Sequence, residues 1–197
     1  DIISFATGYD PKCIIFRNNS PQLFFPIAFE EGKSFNQLTQ YGNYSQLGNC
    51  DLAIEDLNLD GKPDMIISGT YHSKLNECPI YIIQNSSNPG TIAFTSTTKF
   101  VVPTDTIDYR IQVFAGKIDN GKMPGVAVKI TVGSSALGIG TRVYSFRNST
   151  AYPGGPIVLN YNSKSYINFL LSVDRKSTNY DPNITNLMMC DIDGDGI

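Results

Sequence analysis

Short apolar runs punctuated by turn formers cover most of the chain, and none keeps the 3.6-residue apolar period of an amphipathic helix. PDMIISGTY, CPIYIIQN, AFTSTTKFVV and RIQVFAGKI are rich in β-branched and aromatic residues and alternate roughly, while the intervening HSKLNE and SSNPGT are made of residues that favour turns. The pattern predicts a nearly all-β chain, with strands near 52–57, 63–69, 78–85, 94–102, 111–118, 124–132, 141–148 and 185–192.

Three of the apolar runs end alike. IIFRN closes at Asn18, YIIQN at Asn85 and YSFRN at Asn148, 67 and 63 residues apart. A second series keeps nearly the same step: DIIS from Asp1, DMII from Asp64 and GVAV from Gly125 are 63 and 61 residues apart. The chain therefore reads as three units, 1–63, 64–124 and 125–197, each with material for a small antiparallel sheet. A fixed period of this kind belongs to stacked or circular architectures. Four short strands per repeat suit blades of a β-propeller, and three blades are fewer than a closed ring needs. The expectation is part of a larger ring, flanked by further repeats of the same polypeptide.

The junction of the first two units carries the most specific motif. In DLNLDGKPD, residues 56 to 64, Asp56, Asn58, Asp60 and Asp64 fall at loop positions 1, 3, 5 and 9, with Gly61 at position 6. That spacing lets a tight loop turn alternate oxygen-bearing side chains toward one hard cation. Calcium suits it, since it accepts six to eight oxygen ligands at roughly 2.3–2.6 Å in irregular geometry. The carbonyl of Lys62, at position 7, is a further candidate ligand. An EF-hand would need a bidentate Glu at position 12 and flanking helices, whereas position 12 is Ile67 and the flanks read as strands. Taken alone, Asn, Asp, Gly and Pro also make ordinary polar turns.

The motif returns at the end of the chain, where CDIDGDGI places Asp191, Asp193 and Asp195 at positions 1, 3 and 5. In the middle copy, KIDNGKMPG, Lys117, Asp119, Gly121 and Gly125 stand at the ligand positions, so only one acid survives and the expected ion is lost.

The DxNxDGxxD loop followed by an apolar strand, together with IYIIQNSSNPGTIAF, resembles the FG-GAP or VCBS repeats found in integrin α-subunit propellers and in secreted bacterial proteins. The resemblance runs along essentially the whole chain. It implies a seven-bladed propeller or similar ring, with calcium in the loop between the first and second strands of a blade and ligand recognition on the opposite face.

Composition narrows the class without changing it. A chain of 197 residues with 41% hydrophobic and 17% charged residues has ample material for a core. The formal net charge of −3 and the lack of a basic patch point away from nucleic acid. No apolar run approaches the length of a membrane-spanning helix. Loops of this type bind calcium where it is plentiful, which places the expected location outside the cell, secreted or at the cell surface. Cys13, Cys50, Cys78 and Cys190 show no CxxC spacing and are compatible either with disulfides or with buried thiols. N-x-S/T triads start at Asn18, Asn43, Asn85, Asn148 and Asn183, and matter as glycan acceptors only in a host that glycosylates.

No catalytic constellation emerges, and the chain reads as a non-enzyme. The single histidine, His72, lies in a polar run with no GxSxG elbow to accompany it. Three roles are open: a structural or adhesive module that recognises a protein, a carbohydrate-binding propeller in which Tyr41, Tyr44 and Tyr152 would stack on sugars, and an accessory domain of a secreted enzyme.

Overall fold

The computed structural model describes residues 2–6, 12–16, 33–35, 51–68, 77–103, 108–118, 121–134 and 138–170. The chain divides into two compact units, Asp1–Asn49 and Cys50–Ile197. In the first, β1 (Ile2–Ala6), β2 (Lys12–Phe16) and β3 (Lys33–Phe35) form an antiparallel sheet in chain order.

Two four-stranded sheets make up the described part of the second unit. One is β4 (Leu52–Glu55), β5 (Asp64–Ser68), β6 (Glu77–Asn85) and β7 (Phe94–Pro103); the other is β8 (Asp108–Gly116), β9 (Gly125–Ser134), β10 (Gly138–Asn148) and β11 (Leu159–Leu170). Both are simple antiparallel meanders and both are open. Among the described residues the regular structure is all strand, as the sequence predicts. The expected strand at 185–192 lies outside the described residues.

The sheets divide the chain at a different phase from the sequence repeat. Each four-stranded sheet begins one strand before the aligned residues Asp64 and Gly125, so each 56–64-type loop is the first hairpin turn of its own sheet. β11 was not anticipated. Its register against β10 jumps from Phe146–Tyr161 to Tyr144–Tyr166, so the intervening Asn-Ser-Lys-Ser bulges out and interrupts the apolar alternation that betrays a strand.

Strand alternation decides which residues meet between the two sheets. Ile66, Ile80, Ile82 and Val102 from one sheet and Ile111, Val113, Val126, Val128, Ile130, Tyr144 and Phe146 from the other form a single buried cluster, with Leu57 and Ile157 at its loop end. The rings of Phe100 and Phe146 tilt together at 5.3 Å, and those of Phe146 and Tyr161 at 5.6 Å, within the range of favourable aromatic pairs. Burying such side chains stabilises the pair of sheets by about 25 cal/mol per Å² of apolar surface removed from water. The opposite face of β5 and β6 is covered as well: Met65, Ile67, Tyr81 and Ile83 are all buried, so every residue of β5 is buried. At the other side of the pair, Ala127 and Lys129 are buried too, the lysine donating to Gln112 Oε1 at 2.8 Å.

The two sheets stack front to back. Aligning Asp64 with Gly125 and Asn85 with Asn148 matches Ile66 with Ala127 and Ile82 with Ser145, yet Ile66 and Ile82 lie in the shared cluster while Ala127 and Ser145 lie on the far face. Equivalent faces thus point the same way, and a stack built like this has no internal reason to end at two sheets. The junction is also polar at one edge, where Asp51 Oδ2 accepts from Val113 N at 2.9 Å, tying the start of the first sheet to β8.

Candidate metal centre

Asp56 follows β4 directly and Asp64 opens β5, so residues 56–64 form the turn of a hairpin. Short polar side chains shape it by accepting from nearby backbone N–H groups, the behaviour that makes Asp and Asn turn formers. Asp56 accepts from Asp60 N at 3.0 Å and from Gly61 N at 2.8 Å. Asn58 Oδ1 takes a second, longer bond from Asp60 N at 3.3 Å, and Asp60 Oδ1 accepts from Lys62 N at 2.8 Å. Gly61 sits at φ 84°, where a side chain would be strained, and Leu59 sits at φ 55° as the one non-glycine with positive φ among the described residues.

Whereas the carboxylates of Asp56 and Asp60 belong to half-buried and exposed residues, Asp64 is completely buried. Its Oδ2 accepts from Leu57 N at 3.1 Å and its Oδ1 from Asn85 N at 2.9 Å, so one carboxylate joins the loop, β5 and the end of β6. Burial pushes its pKa from 3.8 up to about 6; the two N–H bonds oppose the shift, and the negative charges of Asp60 and Asp56 reinforce it.

The neighbouring sheet completes the loop. Asn58, also fully buried, donates from Nδ2 to Gly155 O at 3.4 Å and accepts at its backbone oxygen from Gly154 N at 2.7 Å. Asn148 Nδ2 donates to Leu57 O at 2.7 Å, and Asn85 Nδ2 donates to Pro63 O at 2.9 Å. Asn148, Gly154 and Gly155 therefore belong to the site although they lie far away in sequence. The recurring strand-closing Asn was a visible signal for the first, whereas PGGP reads only as a turn.

The donors are all hard oxygens, the class calcium takes. Each carboxylate oxygen that accepts one N–H retains capacity for another partner, and the raised pKa of Asp64 marks a position where added positive charge lowers the energy. The carboxylates face loop amides, and among the described residues no three His, Cys, Asp or Glu side chains are gathered closely enough to hold an ion. Asp56, Asn58, Asp60 and Asp64 share one loop as the spacing predicts. For Lys62 the bond described is the one donated by its N–H.

The counterpart loop of the second sheet is built differently. Lys117 is exposed, and a Cβ placed on Gly125 would meet Ile118 Cδ1 at 2.5 Å and Phe146 O at 2.8 Å. The side chain of Ile118 thus occupies the space that a position-9 carboxylate would need. Asp119, Asp191, Asp193 and Asp195, as well as His72, Tyr41 and Tyr44, lie outside the described residues. Tyr152 is 60% exposed in the hairpin that carries Gly154 and Gly155. No helix among the described residues is long and apolar enough to cross a membrane. Comparison with family models, with curated proteins and with solved structures returned no match to the chain.

Proposed function

We propose that this protein is a calcium-stabilised, extracellular repeat module of the FG-GAP or VCBS kind, whose stacked sheets form blades of a propeller and serve as a rigid scaffold for recognising another protein. The observation that carries the metal reading is the buried Asp64 at the head of β5, closed into one loop with Asp56, Asn58 and Asp60 and raised in pKa by burial, with a smaller push from the charges of Asp60 and Asp56. A bound calcium ion would offset the three carboxylates of this loop, which holds a single cationic side chain, Lys62; Asp56, Asn58, Asp60, Asp64 and the Lys62 carbonyl would hold it. The front-to-back stacking and the burial of both faces of β5 and β6 support the blade reading, because a blade is covered by a neighbour on each side. The role is scaffold rather than catalysis.

One observation favours the alternative of glycan recognition. Tyr152 stands exposed beside a proline and two glycines, a flat aromatic surface of the type on which sugar rings stack. Isothermal titration with calcium, in wild type and in Asp60→Ala, tests the metal reading: heat of binding that disappears in the variant supports it, and equal heats in both contradict it. Glycan-array binding that is lost in Tyr152→Ala would replace protein recognition with sugar recognition.

A further inference from the structure

The N-x-S/T triads at Asn85 and Asn148 occupy equivalent places, and four of their bonds match. Each Asn is the last residue of its strand, β6 or β10. The side-chain amide of Asn85 donates to Pro63 O, and that of Asn148 donates to Pro124 O at 2.7 Å; each proline immediately precedes the first residue of the sheet's second strand. The side-chain oxygen of Asn85 accepts from Ser87 N at 2.8 Å, and that of Asn148 from Thr150 N at 3.0 Å. The third residue then closes the following hairpin: Ser87 Oγ accepts from Ala93 N at 3.0 Å, and Thr150 Oγ1 from Val158 N at 3.2 Å. Ser86 N to Ala93 O and Ser149 N to Val158 O complete the match at 2.9 and 2.8 Å. The first and third residues of each triad therefore have a structural task, one holding the loop before the strand and the other the hairpin after it.

We infer that these triads are structural latches of the repeat, and that the latch at Asn148 closes its sequon to N-glycan attachment in the folded protein. Glycan transfer forms a bond from Nδ2 to the sugar's anomeric carbon, with loss of one Nδ2 proton and departure of the lipid pyrophosphate. At Asn148 both protons are committed, one to Pro124 O and one to Leu57 O, and the residue is only 8% exposed. A sugar there would strip a buried carbonyl of its donor and require space that the packed sheets fill. Asn85 shows the same latch in a half-buried setting, with one proton bonded to Pro63 O. The inference goes beyond the calcium reading and does not depend on it, since the latch survives in the second sheet, where Gly125 and Lys117 stand at two of the ligand positions.

The test uses the full 197-residue chain made in a host that does not glycosylate. Folded protein and its proteolytic peptides are incubated separately with a single-subunit oligosaccharyltransferase and lipid-linked oligosaccharide, and occupancy at Asn148 is read by mass spectrometry. Modification of the Asn148 peptide and none of the folded chain is the expected result. Modification of the folded chain at Asn148 overturns the inference, and so does a peptide that stays unmodified, since closure would then owe nothing to the fold. Latching itself is read by melting Asn85→Ala, Asn148→Ala and the exposed control Asn160→Ala. Both latch variants should melt lower than the control or fail to fold; melting of both alongside the control contradicts the latch.

Discussion

At the scale of single residues, the loop holds two local costs with opposite remedies. Leu59 is an exposed leucine at φ 55°, a conformation that costs an L-residue roughly 1–2 kcal/mol. Asn tolerates this region, so Leu59→Asn should raise the melting temperature, by an amount matching a gain of about 0.5–1 kcal/mol; a lower melting temperature would show that Leu59 makes an apolar contact worth more than its strain. Asp64 carries the second cost. Because its folded pKa is about 6 against an ordinary 3.8, the folded protein binds the proton more tightly than the unfolded chain does. The stabilisation this gives is complete below pH 4 and is lost as pH rises through 6, amounting to roughly 3 kcal/mol over the window. Denaturant melts in calcium-free buffer, compared with Asp64→Asn, should show the difference between the two proteins falling in that direction. Bound calcium should oppose the trend, since it favours the carboxylate.

At the scale of elements, the two equivalent loops show what spacing reveals and what it hides. Alternating acids around Gly61 identify the first loop as a turn with inward oxygens, because the side chains that shape it are within a few residues of their partners. The departure of the second loop from the ligand pattern is legible from Lys117 and Gly125, but the packing around it is not: Ile118 fills the space beside Gly125, a contact that only the folded hairpin creates. Gly125→Asp should therefore fail to restore a ligand and should destabilise by about 1–3 kcal/mol through overpacking. Adding Ile118→Ala should recover part of that loss, and additive penalties in the double variant would refute the steric account. Asn148 was visible as a repeated strand end, yet its partners Leu57 and Pro124 lie 91 and 24 residues away, and no local pattern names them. β11 escaped for a related reason, since the polar bulge between Tyr161 and Tyr166 imitates a turn.

At the scale of the whole molecule, the period announced repetition and the sheets fix its sense. Equivalent faces point the same way, and residues of the 56–64 loop are bonded by side chains and backbone of the following sheet, so whatever orders the loop also tightens the joint between sheets. An ion that binds the folded loop and not the unfolded chain should stabilise by about 2.7 kcal/mol at a hundredfold excess over its dissociation constant, which for a protein of this size corresponds to roughly 5–10 °C. Thermal melting of wild type, Asp60→Ala and Asp119→Ala, each with calcium and with chelator, tests this most directly. A calcium-dependent rise is expected in wild type and in Asp119→Ala and should be largely absent in Asp60→Ala; if Asp60→Ala melts like wild type under both conditions, the loop holds no calcium.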